Sequence, residues 1–269
     1  MTRLIANARM YAVDAVAAAA WRSLLDWVLR RAALDWDVID HAAPAPMAVL
    51  WARHDLGTAL MCGLPYALRT PRPQLIAAPV PSPERYANRP CYMTDLAVLA
   101  DSPARTLEDT FGGRIGYTVR DSQSGYFAVR HFLRAYQQRR GGALYREVSG
   151  GLLNARGVID ALVAGTIDVG PLDSYSHDLL RHLEPEYARQ VRVIASTLPT
   201  PNPAFVSTAD LDDAALGRLR AAFLEVEDAA VLSSARETLL LRRFAVPEPA
   251  DYAPLRERHD ALIAAPEVW

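Results

Sequence analysis

The segment Arg120–Tyr126 has the residue types of an anion-binding helix start. Two serines, Ser122 and Ser124, are followed by Gly125, and the segment lies between a predicted strand and a predicted amphipathic helix. The first turn of a helix offers N–H groups without internal acceptors and the positive end of the helix dipole. Serine hydroxyls placed there favour phosphate, phosphonate, sulfonate or carboxylate. The alternative is an ordinary N-cap without a ligand, in which Asp121 or Ser122 satisfies the helix.

Most other chemistries lack the residues they need. The 29 basic residues are all arginine, which excludes lysine Schiff bases and phosphate-binding P-loops. The 6 histidines are dispersed without zinc-ligand spacing, and neither a G-x-S-x-G elbow nor a G-x-G-x-x-G fingerprint occurs. We therefore expect no metal and no cofactor. For an enzyme, the acid or base candidates near the motifs are Asp121, Asp173 and His177.

Composition restricts the partners and the compartment. A formal net charge of −2 argues against nucleic acid as a partner, and the absence of a long apolar run argues against membrane insertion. Cys62 and Cys91 are expected to be reduced and buried. The first residues lack the apolar core of a signal peptide. We expect a cytoplasmic location for the sequence as it stands, and a periplasmic one if a leader has been removed.

Short apolar runs alternate with helical patterns, which predicts an α/β fold with a mixed, mostly parallel sheet flanked by helices in each lobe. The predicted strands are 3–8, 36–39, 56–61, 74–80, 92–100, 114–119, 144–148, 167–172 and 204–207. The predicted helices are 13–34, 46–53, 124–136, 155–164 with Gly165 as its C-cap, and two or three after residue 207, one of them across 236–243.

Two extended connectors, near residues 92–100 and 191–203, predict a hinged pair of lobes. The first lobe is expected to comprise residues 1–96 plus 201–269, and the second residues 97–200. Ligands in open α/β folds bind near strand C-termini and helix N-termini, so we expect the ligand in the cleft between the lobes.

Five short motifs follow one another along the chain. They are Met10-Tyr11, Cys62-Gly-Leu-Pro-Tyr66, Tyr92-Met-Thr94, Asp121-Ser-Gln-Ser-Gly-Tyr126 and a run from Gly165 to Ser176 that contains Asp173. Together they resemble the phosphonate-binding (PhnD-like) family of type II periplasmic substrate-binding proteins. The resemblance extends from about residue 3 to about residue 208.

The resemblance implies a two-lobed receptor in which the serine-rich helix start holds an oxyanion and Asp173 receives an amino or hydroxyl group. The ligand-binding residues that it implies are Ser122, Ser124, Gly125, Tyr126 and Asp173, together with Tyr11, Gly63, Tyr66, Tyr92 and Thr94. The family's Gly-Ser-His-like turn is replaced here by a turn without histidine, in which Asn154 is expected to take its place. Two alternatives stay open: Asp173 as a strand-end cap or salt-bridge partner, and Tyr66 as a core residue.

The first functional hypothesis is a solute-binding protein for a small phosphonate-like or phosphate-like oxyanion, working by hinge closure without covalent chemistry. It is expected to be a monomer with an ABC permease or a sensor protein as its partner. The second hypothesis is a cytoplasmic enzyme on the same fold, resembling menaquinone-pathway enzymes or thiamine-pyrimidine synthases. A third is a stand-alone sensor that passes ligand occupancy to a partner protein.

Overall fold

The computed structural model describes residues 3–265, 267 and 269. The strands are β1 (Ile5–Asn7), β2 (Asp37–Val38), β3 (Leu56–Met61), β4 (Gln74–Pro81), β5 (Cys91–Tyr92), β6 (Thr94–Leu99), β7 (Arg114–Gly116), β8 (Glu147–Ser149), β9 (Gly170–Asp173), β10 (Val191–Ser196), β11 (Thr200–Pro201), β12 (Ala204–Ser207) and β13 (Leu241–Ala245).

The helices are α1 (Ala15–Arg31), α2 (Met47–Trp51), α3 (Gly63–Leu68), α4 (Ala128–Arg140), α5 (Ala155–Val163), α6 (Ser174–Leu183), α7 (Pro185–Ala188), α8 (Asp213–Leu224), α9 (Ser233–Thr238) and α10 (Ala253–Ile263). A π-helical turn at Gln123–Phe127 leads directly into α4. Across the described residues, every helix is too short or too polar to cross a membrane.

The chain divides into two compact units. Unit 1 comprises the chain up to Cys91 and Pro201–Ala253, and unit 2 comprises Tyr92–Thr200 and Pro254–Trp269. The lobe boundaries expected from the sequence, 1–96 plus 201–269 and 97–200, differ from this division at 92–96 and 254–269.

The C-terminal segment belongs to unit 2 because its side chains pack on that unit. The ring of His259 lies 4.9 Å from the ring of Phe127, and the indole of Trp269 stacks on Tyr117 with 6.3 Å between centroids. Gln137 Nε2 also donates a hydrogen bond to Glu267 O at 2.7 Å.

Unit 1 is built on a mixed sheet with the order β13-β4-β12-β3-β1-β2. β1 runs parallel to β2 and β3, whereas β12 is antiparallel to β3 and β4, and β13 is antiparallel to β4. β12 enters the centre of this sheet after the chain has passed through unit 2. The segments up to Cys91 and from Pro201 to Ala253 therefore both contribute to the core of unit 1.

The core of unit 1 is aromatic. The ring of Phe223 lies 4.8 Å from each of Phe205 and Phe244, and Trp21 of α1 meets Phe205 edge-on at 6.0 Å. α1 begins where Asp14 accepts a hydrogen bond from Ala17 N at 2.7 Å, an N-cap that fixes the entry of this helix. Aromatic pairs at these distances add to the free energy gained by burying the rings.

Asn202 connects four parts of unit 1. Its Nδ2 donates to Pro79 O at 2.9 Å, and its Oδ1 accepts from the Tyr11 hydroxyl at 3.0 Å. Its main-chain O accepts from the Tyr252 hydroxyl at 2.8 Å, and its N donates to Pro90 O at 2.9 Å. Asn202 has no exposed surface, so each of these bonds is made away from water.

Unit 2 contains an antiparallel sheet with the order β10-β6-β9 and a parallel pair of β7 and β8. A parallel bridge between Ile115 and Val169 links β7 to the segment that leads into β9. α5 is capped by Asn154 and is followed by Gly165 at φ +63, so the predicted helix and its glycine stop are confirmed.

The α/β class and the mixed sheet are confirmed. The sheet of unit 1 has fewer parallel strand pairs than expected, because β12 and β13 run antiparallel to their neighbours. The predicted helix across 236–243 is wrong. α9 ends at Thr238, Leu240 takes a φ of +45, and the chain then forms β13 on the edge of β4. Leu241 and Phe244 are buried in this strand, whereas Arg242 is exposed.

A further helix, α3, begins at Gly63, where the sequence indicated only a break after β3. Pro65 lies in the first turn of α3, where its missing N–H removes no helical hydrogen bond.

Replacement of Asn202 by alanine is expected to lower the free energy of unfolding by about 2–4 kcal/mol, because the Pro79 carbonyl and the Tyr11 hydroxyl each lose a buried partner. Tyr252→Phe removes a single bond to the same residue and should lose about 1 kcal/mol. Urea denaturation of both variants measures the difference. Equal losses in the two variants would contradict a connecting role for the Asn202 side chain.

Candidate functional site

The entry into α4 is wound as a π-helical turn. Ser122 caps the turn, since its Oγ accepts a hydrogen bond from Gly125 N at 2.9 Å. The first main-chain bond of the turn joins Phe127 N to Ser122 O at 3.2 Å and has the longer spacing of a π-helix. Such turns are wider than α-helical turns and are frequent at functional sites.

Two threonines fix the position of this turn. A Cβ on Gly125 would lie 1.8 Å from Thr118 Oγ1, so a side chain there would collide with Thr118. Thr118 N also donates to Gly125 O at 3.3 Å. From the neighbouring sheet, Thr94 Oγ1 donates to Ser124 O at 3.0 Å. Both threonines thus bond to carbonyl oxygens of the turn, so these contacts do not occupy its N–H groups.

Several hydrogen-bond donors of the turn have no acceptor in the part of the chain that the structure describes. These donors include the N–H groups of Ser124 and Tyr126 and the hydroxyl of Ser124. The Ser122 hydroxyl accepts from Gly125 N, and its own hydrogen stays available to donate. N–H and O–H donors grouped at a helix start are the arrangement that binds an anion.

Asp173 lies next to the turn because of the strand register. Thr94 in β6 stands opposite Asp173 in β9, and the same Thr94 holds Ser124 O. Asp173 Oδ1 accepts hydrogen bonds from Tyr175 N and Ser176 N, each at 3.0 Å, and so caps α6. The cap interpretation of Asp173 is therefore confirmed, while Oδ2 makes no hydrogen bond to the described residues.

The carboxyl group of Asp173 is also electrostatically unusual. Its pKa is raised to about 7, mainly by burial and to a smaller extent by the neighbouring Asp95 and Asp178 carboxylates, while the N–H groups of Tyr175 and Ser176 oppose the shift. Near neutral pH the group is therefore divided between a carboxylate that accepts hydrogen bonds and a neutral acid that can donate one.

Tyr126 is part of the turn, and its side chain is surrounded by arginine and aromatic side chains. Arg120 Nη1 donates to Tyr126 Oη at 3.1 Å, and the Cζ atoms of Arg120 and Arg130 lie 5.7 and 5.2 Å from the ring centroid. Tyr117 meets the same ring edge-on at 5.0 Å, and Trp269 is tilted against it at 5.7 Å. Tyr126 is only 3% exposed, so these contacts enclose most of its surface.

Three of the expected ligand residues lie in unit 1. Tyr11 is fully buried, and its hydroxyl is bonded to Asn202. Gly63 begins α3, and Tyr66 of the same helix is buried edge-on against Tyr252 with 5.0 Å between centroids. Burial raises the pKa of the Tyr66 phenol. The core interpretation of Tyr66 therefore agrees with its packing, and a ligand role for the three residues stays a prediction.

The remaining two expected residues, Tyr92 and Asn154, also lie in unit 2. Tyr92 in β5 is 1% exposed, and its main-chain O accepts from Thr200 Oγ1 at 3.5 Å. Asn154 is exposed, and its side chain caps α5 by accepting from Gly157 N at 3.1 Å. The structure thus groups Ser122, Ser124, Gly125, Tyr126, Thr94 and Asp173, while a ligand role for Tyr92 and Asn154 stays a prediction.

The acid and base candidates other than Asp173 are poorly placed for catalysis. Asp121 is exposed, whereas His177 is fully buried with its Nδ1 3.7 Å from Asp95 Oδ2. A general base must reach the proton that it removes, and the imidazole of His177 is enclosed by protein. Within residues 3–265, 267 and 269, no group of three His, Cys, Asp or Glu residues is arranged to hold a metal ion.

A family model described as the phosphonate periplasmic substrate-binding protein of ABC transporters matches residues 13–252. A search of curated protein sequences gave no significant match. Among solved structures, the binding component of an ABC phosphonate transporter from Pseudomonas aeruginosa superposes with a TM-score of 0.79 at 17% identity, covering 97% of this chain and 86% of that chain.

Two further solved structures have the same fold. PhnD1 from Prochlorococcus marinus in complex with methylphosphonate has a TM-score of 0.77 at 14% identity, and covers 97% of this chain and 98% of its own. XAC2383 from Xanthomonas citri bound to ATP has a TM-score of 0.65 at 19% identity, with 98% of both chains covered. The type II periplasmic-binding-protein fold expected from the motifs is confirmed.

Sequence reasoning missed Thr118 and Arg130. Thr118 ends a predicted strand, and no motif includes it, yet its side chain determines that residue 125 is glycine. Arg130 has the appearance of a surface arginine on an amphipathic helix, but it is only 4% exposed. Its position two residues before the run Phe132-Leu133, on the apolar side of the helix, was the available signal.

Gly125→Ala is expected to destabilise unit 2 by about 1–3 kcal/mol, because the added methyl group must displace Thr118 or widen the turn. Gly142→Ala is the matched control, since a Cβ there meets nothing within 4 Å. Thermal and urea unfolding of the two variants provide the measurement. A Gly125→Ala protein as stable as Gly142→Ala would show that the contact with Thr118 does not constrain the turn.

The pKa of Asp173 predicts a specific dependence of stability on pH. The folded-state pKa of about 7 lies above the ordinary aspartate value of 3.8, so the folded protein binds more protons than the unfolded one between these values. The contribution of Asp173 to stability is therefore most favourable below about pH 4 and is lost as the pH rises toward 7.

Asp173→Asn keeps the acceptor for the helix cap and removes this titration. The difference in the free energy of unfolding, variant minus wild type, is expected to rise by about 2 kcal/mol as the pH increases from about 5 to about 8. Urea denaturation at a series of pH values checks this gain. A difference between the two proteins that does not change with pH would contradict the raised pKa.

Proposed function

Because the chain belongs to the family of ABC-transporter phosphonate periplasmic substrate-binding proteins, we propose that it binds a phosphonate-like oxyanion at the turn Gln123–Phe127. The family consists of substrate-binding proteins rather than enzymes, so the chain binds a small ligand and works with a permease. The proposal adds where the ligand is held and which chemical group is recognised.

The observation that carries the proposal is the set of uncommitted donors at the turn. The N–H groups of Ser124 and Tyr126 and the hydroxyls of Ser122 and Ser124 present donors at the positive end of α4. A tetrahedral oxyanion has three oxygens that accept several such bonds at once. Because the main chain of the turn is already fixed, little conformational entropy is lost when the ligand binds.

Asp173 supplies the second recognition element. Its Oδ1 is used by the cap of α6, and its Oδ2 is left to accept from a donor group of the ligand. An ammonium group on the ligand would stabilise the carboxylate form and lower the raised pKa of Asp173. We therefore infer a preference for aminoalkylphosphonates over simple alkylphosphonates.

The protein is proposed to act as a monomer on the outer side of the cytoplasmic membrane, where it delivers the ligand to its permease. The proposed ligand residues Tyr11, Gly63, Tyr66, Tyr92 and Asn154 remain predictions, because the three tyrosines are buried and the side chain of Asn154 caps α5. Each would be tested by the alanine or phenylalanine variant in the binding assay below.

The test is calorimetric titration with 2-aminoethylphosphonate, methylphosphonate, inorganic phosphate, acetate and ATP. ATP is included because the Xanthomonas relative binds it. We expect the phosphonates to bind, with the amino compound the tighter. Ser124→Ala should weaken both phosphonates about 10- to 150-fold, which corresponds to the loss of one hydrogen bond to a charged group.

Two variants complete the test. Asp173→Ala should abolish the preference for the amino compound and leave methylphosphonate binding nearly unchanged. Ser234→Ala, at an exposed position of α9, is the matched control and should change nothing. Binding of ATP or acetate without phosphonate, or phosphonate affinity that Ser124→Ala leaves unaltered, would contradict the proposed ligand and its placement.

A further inference from the structure

Arg130 is a buried cation without a partner of opposite charge. It lies in α4, one turn beyond the π-helical turn, and only 4% of its surface is exposed. Its Nε is buried and has no hydrogen-bond partner. Among the described residues, no carboxylate forms an ion pair with it. Its Cζ lies over the Tyr126 ring, 5.2 Å from the ring centroid.

The two terminal nitrogens of Arg130 differ from its Nε. They also make no hydrogen bond to the described residues, yet they are not among the atoms that the protein seals from solvent. The side chain is therefore enclosed along most of its length, and its terminal nitrogens keep a small surface accessible to solvent. This is the geometry in which arginine offers two parallel N–H donors to an oxyanion.

An arrangement of this kind is costly in the protein alone. Withdrawing a guanidinium from water is unfavourable unless a counter-charge and hydrogen bonds replace the lost hydration. The ring of Tyr126 compensates in part through a cation–π contact. Arg120 adds a second positive charge on the same ring, and the positive end of the α4 dipole lies one turn away. No carboxylate among the described residues forms an ion pair with either arginine.

We propose that Arg130 is the counter-charge of the bound oxyanion and that it sets a preference for doubly charged over singly charged ligands. The inference rests on the proposed function, since it assigns a specificity-determining residue to the ligand held at the π-helical turn. A phosphonate dianion gains more from the buried guanidinium than a sulfonate of the same shape, which carries a single negative charge.

The experiment compares methylphosphonate with methanesulfonate by calorimetric titration at about pH 8.5, where the phosphonate is mostly a dianion. In Arg130→Met, the affinity for methylphosphonate should fall about 10- to 100-fold and that for methanesulfonate by a smaller factor. Arg130→Lys keeps the charge and should retain most of the preference between the two probes.

Arg139→Met is the matched control. Arg139 is an exposed arginine on the same helix, and its Cζ lies 4.7 Å from the ring of Tyr136, so its replacement removes an equal charge and a similar ring contact. This variant should bind both probes as the wild type does. Without ligand, Arg130→Met should unfold at the same temperature as the wild type or higher, because an uncompensated buried charge has been removed.

The possible outcomes distinguish a failure of this inference from a failure of the proposed function. Suppose that the wild type binds methylphosphonate, and that Arg130→Met either binds both probes as tightly as the wild type or loses affinity for both by the same factor. Arg130 then does not select by charge, and the inference is overturned. If Arg130→Met is unstable and Arg130→Lys also loses the preference, Arg130 is a structural residue and the inference is again overturned. Binding of neither probe by the wild type overturns the proposed function itself.

Discussion

The contact between Gly125 and Thr118 is the constraint on which the proposed site depends. Thr118 Oγ1 occupies the position that a Cβ at residue 125 would take, so the main chain of the turn comes closer to its neighbour than any other residue type would permit. Thr94 holds the same turn from the sheet through Ser124 O. These contacts use carbonyl oxygens of the turn rather than its N–H groups and hold it in a wide π-helical arrangement, and the proposed oxyanion site depends on that rigidity.

Charge is distributed unevenly around the turn. Arg120 and Arg130 contact Tyr126 on one side, while Asp173 is connected to Ser124 through Thr94 on the other. Neither arginine has an ion-pair partner within the described residues, and burial holds the pKa of Asp173 near 7. A ligand with an oxyanion at one end and a donor at the other would satisfy both groups, whereas the protein alone leaves both in unfavourable surroundings.

Much of the fold was predictable because its elements are locally distinct. β3 and β12 are buried apolar runs bounded by turn residues, and both have the predicted limits. β13 was not predictable, since its leucines and arginines have a helical composition and only pairing with β4 makes them a strand. For the site, serine and glycine spacing indicated the helix start, and the family motif indicated Asp173. Arg130 was missed because its position beside Phe132-Leu133 is compatible with exposure or with burial, and only tertiary packing decides between them.

The most direct measurement is an amide NMR titration of the protein with methylphosphonate. The account predicts saturable shifts of the Ser124 and Tyr126 amide resonances toward those of strongly hydrogen-bonded groups, because their N–H groups acquire an acceptor on binding. The amide of Gly142, exposed at the far end of α4, should not respond. Saturable shifts confined to residues elsewhere in the chain, with Ser124 and Tyr126 unchanged, would contradict an oxyanion site at this turn.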